Sequence, residues 1–225
     1  MSLKEDDEAS DWKRIDEWDG GFGWLAYPDE KLQRASHALD GEDGQLLVDP
    51  VDFPDLDDVL ADRGPVAGVV VLLNRHERDA ATIARRHDVP VYVPEFMDDV
   101  ARDLDAEVER IRYDLPGTDY GVHTVIDNAL WKEAMLYSDE TGTMVVAEAV
   151  GTTPYFVTGE RRLGVHPVLR LTPPRKLGRL DPERVLVGHG EGVLKDTGSA
   201  LRDALDGSRS RTPRLYAKNI REMVL

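Results

Sequence analysis

Two short segments of the chain carry the residue types that do chemistry. One is Leu72-Leu73-Asn74-Arg75-His76-Glu77-Arg78-Asp79-Ala80. The other is Val185-Leu186-Val187-Gly188-His189-Gly190-Glu191-Gly192-Val193. The first follows a continuous apolar, β-branched run at 66–73, the pattern of a strand buried on both faces. It opens a run at 79–87 in which Ala80, Ile83 and Ala84 recur at helical spacing. Two guanidinium groups, an imidazole and two carboxylates therefore crowd a strand-to-helix turn. Two more acids stand at the ends of apolar runs, Asp49 after Leu46-Leu47-Val48 and Glu148 in Val145-Val146-Ala147-Glu148-Ala149. Carboxylates with an imidazole suit Mn, Fe or a weak Zn site better than a thiolate-seeking metal.

Around these segments, the first half reads as strands alternating with helices: a short helix at 53–61 ended by Gly64-Pro65, strands at 66–73 and 90–94, helices at 79–87 and 97–104. That order points to an α/β arrangement. The second half is richer in strands, at 108–115, 121–126, 134–138, 143–149 and 184–187, with a tight connection at Asp139-Glu140-Thr141-Gly142. A helix at 196–205 turns Ala200, Leu201, Ala204 and Leu205 inward. Three parts follow: an acidic, partly frayed start at 1–19 with Trp12 and Trp18 as anchors, one domain at 20–207, and a basic tail at 208–225 docking on the acidic body.

The 225 residues hold 44 acidic and 28 basic side chains, a net charge of −16. Asp outnumbers Glu by 28 to 16, and Arg outnumbers Lys by 21 to 7. Such self-repulsion costs stability in dilute buffer and is screened when the Debye length falls to about 3 Å at 1 M salt. The composition is read as that of a cytoplasm holding molar salt. Nucleic acid is not an expected partner, because phosphate binding needs a basic face. No apolar run reaches the roughly 18 residues of a membrane span, and residues 1–12 do not resemble a secretory signal, so a membrane is not expected either. Cysteine is absent, which excludes disulfides and thiolate ligands.

The two segments together resemble the metallo-β-lactamase superfamily, whose motifs are H-x-H-x-D-H after a strand and a late G-H-G turn. The resemblance implies a four-layer αββα sandwich over about residues 20–215. It implies that Asp49 supports the metal loop. The motif positions here hold Arg75, His76, Glu77, Arg78, Asp79 and Ala80, so Asp79 is kept and three histidines are replaced. The H-T-P-G-H segment resembles Asp114-Leu115-Pro116-Gly117-Thr118, putting Asp114 or Thr118 at a ligand position. Glu148 takes the place of the bridging Asp, and His189 is kept.

Arg75 cannot ligate and its charge opposes a nearby cation. The three-histidine site is therefore read as lost, and two readings stay open. In the one favoured by chemistry, no cofactor is expected: Arg75 pairs with Asp79 or Glu148, and the pocket takes a small anionic molecule or nothing. In the other, Asp79, Glu148 and His189 hold one divalent metal (Mn, Fe or Zn), with Glu77 as a fourth ligand, in a remodelled hydrolase; Asp79 and His189 are then the catalytic candidates. His76, His37 and His87 are expected at the surface, His123 in a structural role, and His166 in a loop at 155–174 rimming the pocket. Ser138 and Ser199 lack a histidine partner in the sequence pattern, and Gly20-Gly21-Phe22-Gly23 lacks phosphate-loop spacing.

Overall fold

The computed structural model describes Ala9 and residues 11–224. Strands β1 (Lys13–Trp18), β2 (Gly21–Leu25), β3 (Ala35–Asp40) and β4 (Gln45–Val48) run antiparallel in sequence order. Helix α1 (Leu56–Ala61), β5 (Val66–Val70), α2 (Ala80–His87), β6 (Val91–Pro94), α3 (Asp98–Asp103) and β7 (Val108–Ile111) then add three parallel strands through helical crossovers, completing a seven-stranded sheet ordered β1 to β7. The second sheet has four strands: β8 (Tyr120–Asp127), β9 (Lys132–Ser138) and β10 (Thr143–Val146), then, after a small ribbon of β11 (Val150–Gly151) and β12 (Gly164–Val165), β13 (Arg184–Val187). Its order is β13-β10-β9-β8, with β13 parallel to β10. Helices α4 (Thr197–Asp206) and α5 (Ser208–Val224) follow.

Period-two alternation in the second sheet explains the layers. Ala134, Leu136, Val145 and Leu186 face the first sheet and share a core with Leu47, Val70 and Val93. Their strand neighbours Met135, Tyr137, Met144, Val146, Val185 and Val187 face the other way, onto Leu201, Ala204 and Leu205 of α4. Strands apolar on both faces must be covered on both. On the far side of the first sheet, Leu56, Leu60, Ile83, Ala84 and Val100 bring α1, α2 and α3 onto it. The result is the α/β four-layer αββα sandwich that the sequence predicts.

Two expectations change, and the docked tail takes a definite form. Residues 13–18, expected to fray, form the edge strand β1, because Ile15 is buried and the neighbouring Trp12 stacks on Phe53 with ring centroids 4.7 Å apart; the rest of that acidic start, 1–8 and 10, lies outside the described residues. The basic tail is helix α5. Its Leu215 is fully buried, Arg211 pairs with Asp203, and the Tyr216 hydroxyl and Asn219 Nδ2 donate to the carbonyls of Pro167 and Tyr155. His37, expected at the surface, is buried in β3, with Nε2 3.0 Å from the Val187 carbonyl.

Burial holds the His37 pKa down to about 4, despite the Val187 carbonyl acting the other way. The unfolded chain takes up this proton near pH 6.5, so the stability from neutral His37 is complete above pH 6.5 and is lost as pH falls toward 4. His37→Gln is expected to remove this slope, at most about 1.4 kcal/mol per pH unit, from urea-unfolding curves between pH 6.5 and 4 at fixed salt. Parallel profiles for variant and parent would show that His37 does not titrate this way.

Candidate metal centre

The site lies where β4, β5 and β13 end and β9 begins. The strand β4 leads into Asp49, which is buried and held at φ 44. Its Oδ1 accepts a hydrogen bond from Leu72 N at 2.8 Å, and its Oδ2 lies 2.9 Å from His76 Nδ1. One carboxylate thus fixes both the backbone entering the motif loop and the imidazole it carries. The loop reverses at once, with His76 N donating to Leu73 O at 2.8 Å, which turns His76 into the protein. His76 is 5% exposed, so the surface position expected for it is corrected: the tight turn and the Asp49 partner bury it.

From the opposite sheet, β13 delivers His189 on a turn that needs two glycines. A Cβ on Gly188 would meet the Ala147 carbonyl at 2.2 Å, and Gly190 adopts φ +90. His189 Nδ1 is 3.0 Å from the Leu32 carbonyl, so Nδ1 carries the proton and the Nε2 lone pair faces inward. That Nε2 is buried and makes no hydrogen bond; the nearest acid oxygen, Glu148 Oε1, is 3.5 Å away. Glu148 follows β10. Its backbone N and that of Ala149 both donate at 2.8 Å to Glu133 Oε1, while Trp131 Nε1 donates at 2.7 Å to Glu133 Oε2. Glu133 is fully buried, and burial raises its carboxyl to about 7 against these three hydrogen bonds.

His76, Glu148 and His189 can each place a ligand atom within 4.8 Å of the others, the one such group of three among the described residues. Burial, with the neighbouring Arg78 acting the same way, holds His76 well below the usual imidazole range, leaving it neutral at pH 7. Burial acts to raise Glu148, but the surrounding histidines outweigh it and hold the carboxyl well below its usual range. His166 also approaches Glu148 Oε1, at 3.9 Å, and burial lowers it to about 4. Its Nδ1 accepts from Val168 N at 3.3 Å, so its neutral form carries the proton on Nε2 and turns an N–H, not a ligand lone pair, toward Glu148. Trp131, Tyr155 and Phe156 pack on His166, and Phe156 stacks on His189.

Arg75 stands at the mouth. Its guanidinium pairs with Glu148 Oε2, lies 4.2 Å over the Trp131 ring and reaches the Leu130 carbonyl at 3.3 Å. The other residues singled out in the sequence go elsewhere. Asp79 Oδ2 accepts from Asp52 N at 2.8 Å, securing the loop before α1. Glu77 is raised by burial and by Asp103 of α3, away from the cluster. Asp114 and Thr118 lie at the other end of the sheets: the turn they flank accepts Glu42 N on the Gly117 carbonyl, beside the β3–β4 hairpin. Their sequence match rested on a Leu-Pro-Gly turn, and such turns recur at either end of a sheet. The site end is instead closed by residues 128–131. Arg78, not singled out, donates to the carbonyls of Ala35, Asp49 and Gly188 from a half-buried position at φ 42. Burial lowers it only to about 10, so it stays charged and ties the two sheets together below the site.

The donor set fits one hard or borderline cation and not two: two imidazoles whose Nδ1 atoms are held by Asp49 and the Leu32 carbonyl, and a carboxylate with one oxygen free of Arg75. Asp49 behind His76 and a backbone carbonyl behind His189 are the outer partners that metal-bound histidines use.

No protein-family model matches the chain, and no curated protein matches it. Solved structures do. A metallo-β-lactamase from Pontibacter korlensis is 11% identical, with 87% of this chain and 99% of that one covered and a TM-score of 0.62. A metallo-β-lactamase from Hirschia baltica is 9% identical, covering 88% and 97%, with a TM-score of 0.58. A metal-soaked flavodiiron core, Flv1 of Synechocystis sp. PCC6803, is 10% identical, covering 89% and 61%, with a TM-score of 0.61. The chain has the metallo-β-lactamase fold.

Proposed function

We propose that this protein binds one divalent cation (Mn, Fe or Zn) through His76, Glu148 and His189, and that the site performs a metal-dependent hydrolysis of a small anionic molecule. The observation that carries the reading is the convergence of three acceptors around a buried, unbonded His189 Nε2. Inward-facing lone pairs beside a carboxylate repel one another unless a cation lies between them. The three-ligand set replaces the combination of Asp79, Glu148 and His189 read from the sequence, with His76 in the place of Asp79.

Once bound, the cation would supply Lewis acidity and a water whose pKa is lowered toward neutral. The remaining roles fall to the chain. Asp49 and the Leu32 carbonyl hold the two imidazoles in the tautomers that present Nε2. Arg75 holds one oxygen of Glu148 and leaves the other facing the histidines. It also closes the mouth, so a substrate carboxylate or phosphate would engage its guanidinium on entry. Trp131, Tyr155 and Phe156 exclude water from the inner wall. Among the described residues no helix is long and apolar enough to cross a membrane. The acidic surface suits a cytoplasm of high salt, and neither nucleic acid nor membrane is a proposed partner.

One observation favours a second reading, a metal-free pocket: Arg75 already neutralises Glu148. The two separate experimentally. Protein purified in molar salt and dialysed against Mn, Fe or Zn is expected to retain about one equivalent, and His189→Ala to retain far less. Free metal at a hundredfold excess over Kd is expected to stabilise the parent by about 2.7 kcal/mol and to leave His189→Ala unmoved. Metal far below stoichiometry, with no shift in Tm, would favour the metal-free pocket. Arg75→Ala is a second discriminator. With metal bound it is expected to be nearly neutral, because the cation compensates Glu148. In a metal-free pocket it is destabilising, by more than the about 0–1 kcal/mol of an exposed pair and less than the about 3–5 kcal/mol of a fully buried one.

A further inference from the structure

A cleft of about 730 Å³ opens away from the candidate metal centre, where the free edges of the two sheets, β7 and β8, meet the 3-10 turn Arg175–Arg179. Its floor is apolar and drawn from both sheets: Ile111, Val122 and Met135. Its rim carries Arg112, Lys176 and Arg179 against a single carboxylate, Glu95. On a chain with a net charge of −16, this wall reverses the sign of the surface. The rim cations are incompletely used. Arg112 is 3.5 Å from Glu95 in an exposed pair, and Lys176 spends one donor on the Thr124 carbonyl at 2.6 Å. Arg179 is exposed and has no ion-pair partner among the described residues. Beside them Tyr113 is 67% exposed, its ring 4.9 Å from the Arg112 guanidinium, a large aromatic surface left in water.

An apolar floor, an exposed ring and a cationic rim in a cleft of small-molecule size match one chemistry. We propose that this cleft binds a small amphipathic anion, with its apolar or aromatic body on Ile111, Val122 and Tyr113 and its acidic group between Arg112, Lys176 and Arg179. Sheet edges are otherwise left to water or blunted by charge; here the apolar space between two edges would be filled by the ligand. None of His76, Glu148 and His189 lines the cleft, so the site is independent of the metal reading.

The probe is 8-anilinonaphthalene-1-sulfonate, compared with its uncharged analogue N-phenyl-1-naphthylamine, each titrated by fluorescence into the full chain at a fixed salt concentration. One saturable site for the sulfonate, at least tenfold tighter than for the neutral analogue, is expected. Arg112→Glu/Arg179→Glu is expected to weaken the sulfonate at least tenfold and leave the neutral analogue unchanged, whereas His189→Ala is expected to change neither. Circular dichroism confirms the fold of each variant, and Arg179→Gln alone, at least threefold weaker, repeats the test with a milder change. Equal affinity for the two probes, an unaltered affinity in both charge variants, or loss of binding in His189→Ala would each overturn the assignment.

Discussion

The site depends on one buried carboxylate. Asp49 ends β4 in a left-handed backbone conformation that costs an aspartate little compared with a branched residue. From there it holds the Leu72 amide with one oxygen and His76 Nδ1 with the other, and its own carbonyl accepts from Arg78 and Ser36. Without it the motif loop would lose its anchor and His76 its orientation together. Burial raises the Asp49 carboxyl to about 6, opposed by Arg78 and the Leu72 amide. The arrangement therefore trades intrinsic acidity for position, as expected of a group that orients a ligand rather than acting as one.

Around Asp49 the charges are arranged in tiers. Arg78 lies beneath, charged, with its two terminal nitrogens donating to backbone carbonyls. Glu133 sits behind Glu148 and satisfies two strand-end amides that would otherwise be orphaned in the core. Arg75 covers the outer oxygen of Glu148. Each buried ion has hydrogen-bond partners, which is the condition under which such groups are tolerated. His189 Nε2 is one of several buried polar atoms without a hydrogen-bond partner among the described residues, and the one within the cluster of His76, Glu148 and His189. A bare imidazole nitrogen beside a carboxylate and a second imidazole is the observation on which the proposed cation site rests.

Much of the fold is legible in the sequence because it follows from periodicity. The run at 66–73 and the Ala80-Ile83-Ala84 stripe identify β5 and α2, and apolar strands on both sides of tight turns imply two covered sheets. Asp49, Glu148 and His189 are legible as polar residues ending apolar runs. What sequence spacing does not carry is the direction of a side chain after a sharp turn. His76 follows a reversal at residues 73–76 and is claimed by a carboxylate 27 positions away; His37 is buried by a carbonyl 150 positions away. The turn at 114–118 has the right residue types at the wrong end of the sheet. Glu133 did leave a signal, since an acid beside Ala134-Met135-Leu136 in an apolar strand marks a buried network. Arg78 left none.

The most direct measurement is anomalous diffraction from crystals grown in molar salt and equilibrated with Zn or Mn. A single peak at about 2.0–2.2 Å from His76 Nε2, His189 Nε2 and a Glu148 oxygen, with Asp79 still on the Asp52 amide, is the result expected here. A pocket without a peak, or a peak held by Asp79 and Glu77 with His76 turned away, would contradict the three-ligand centre.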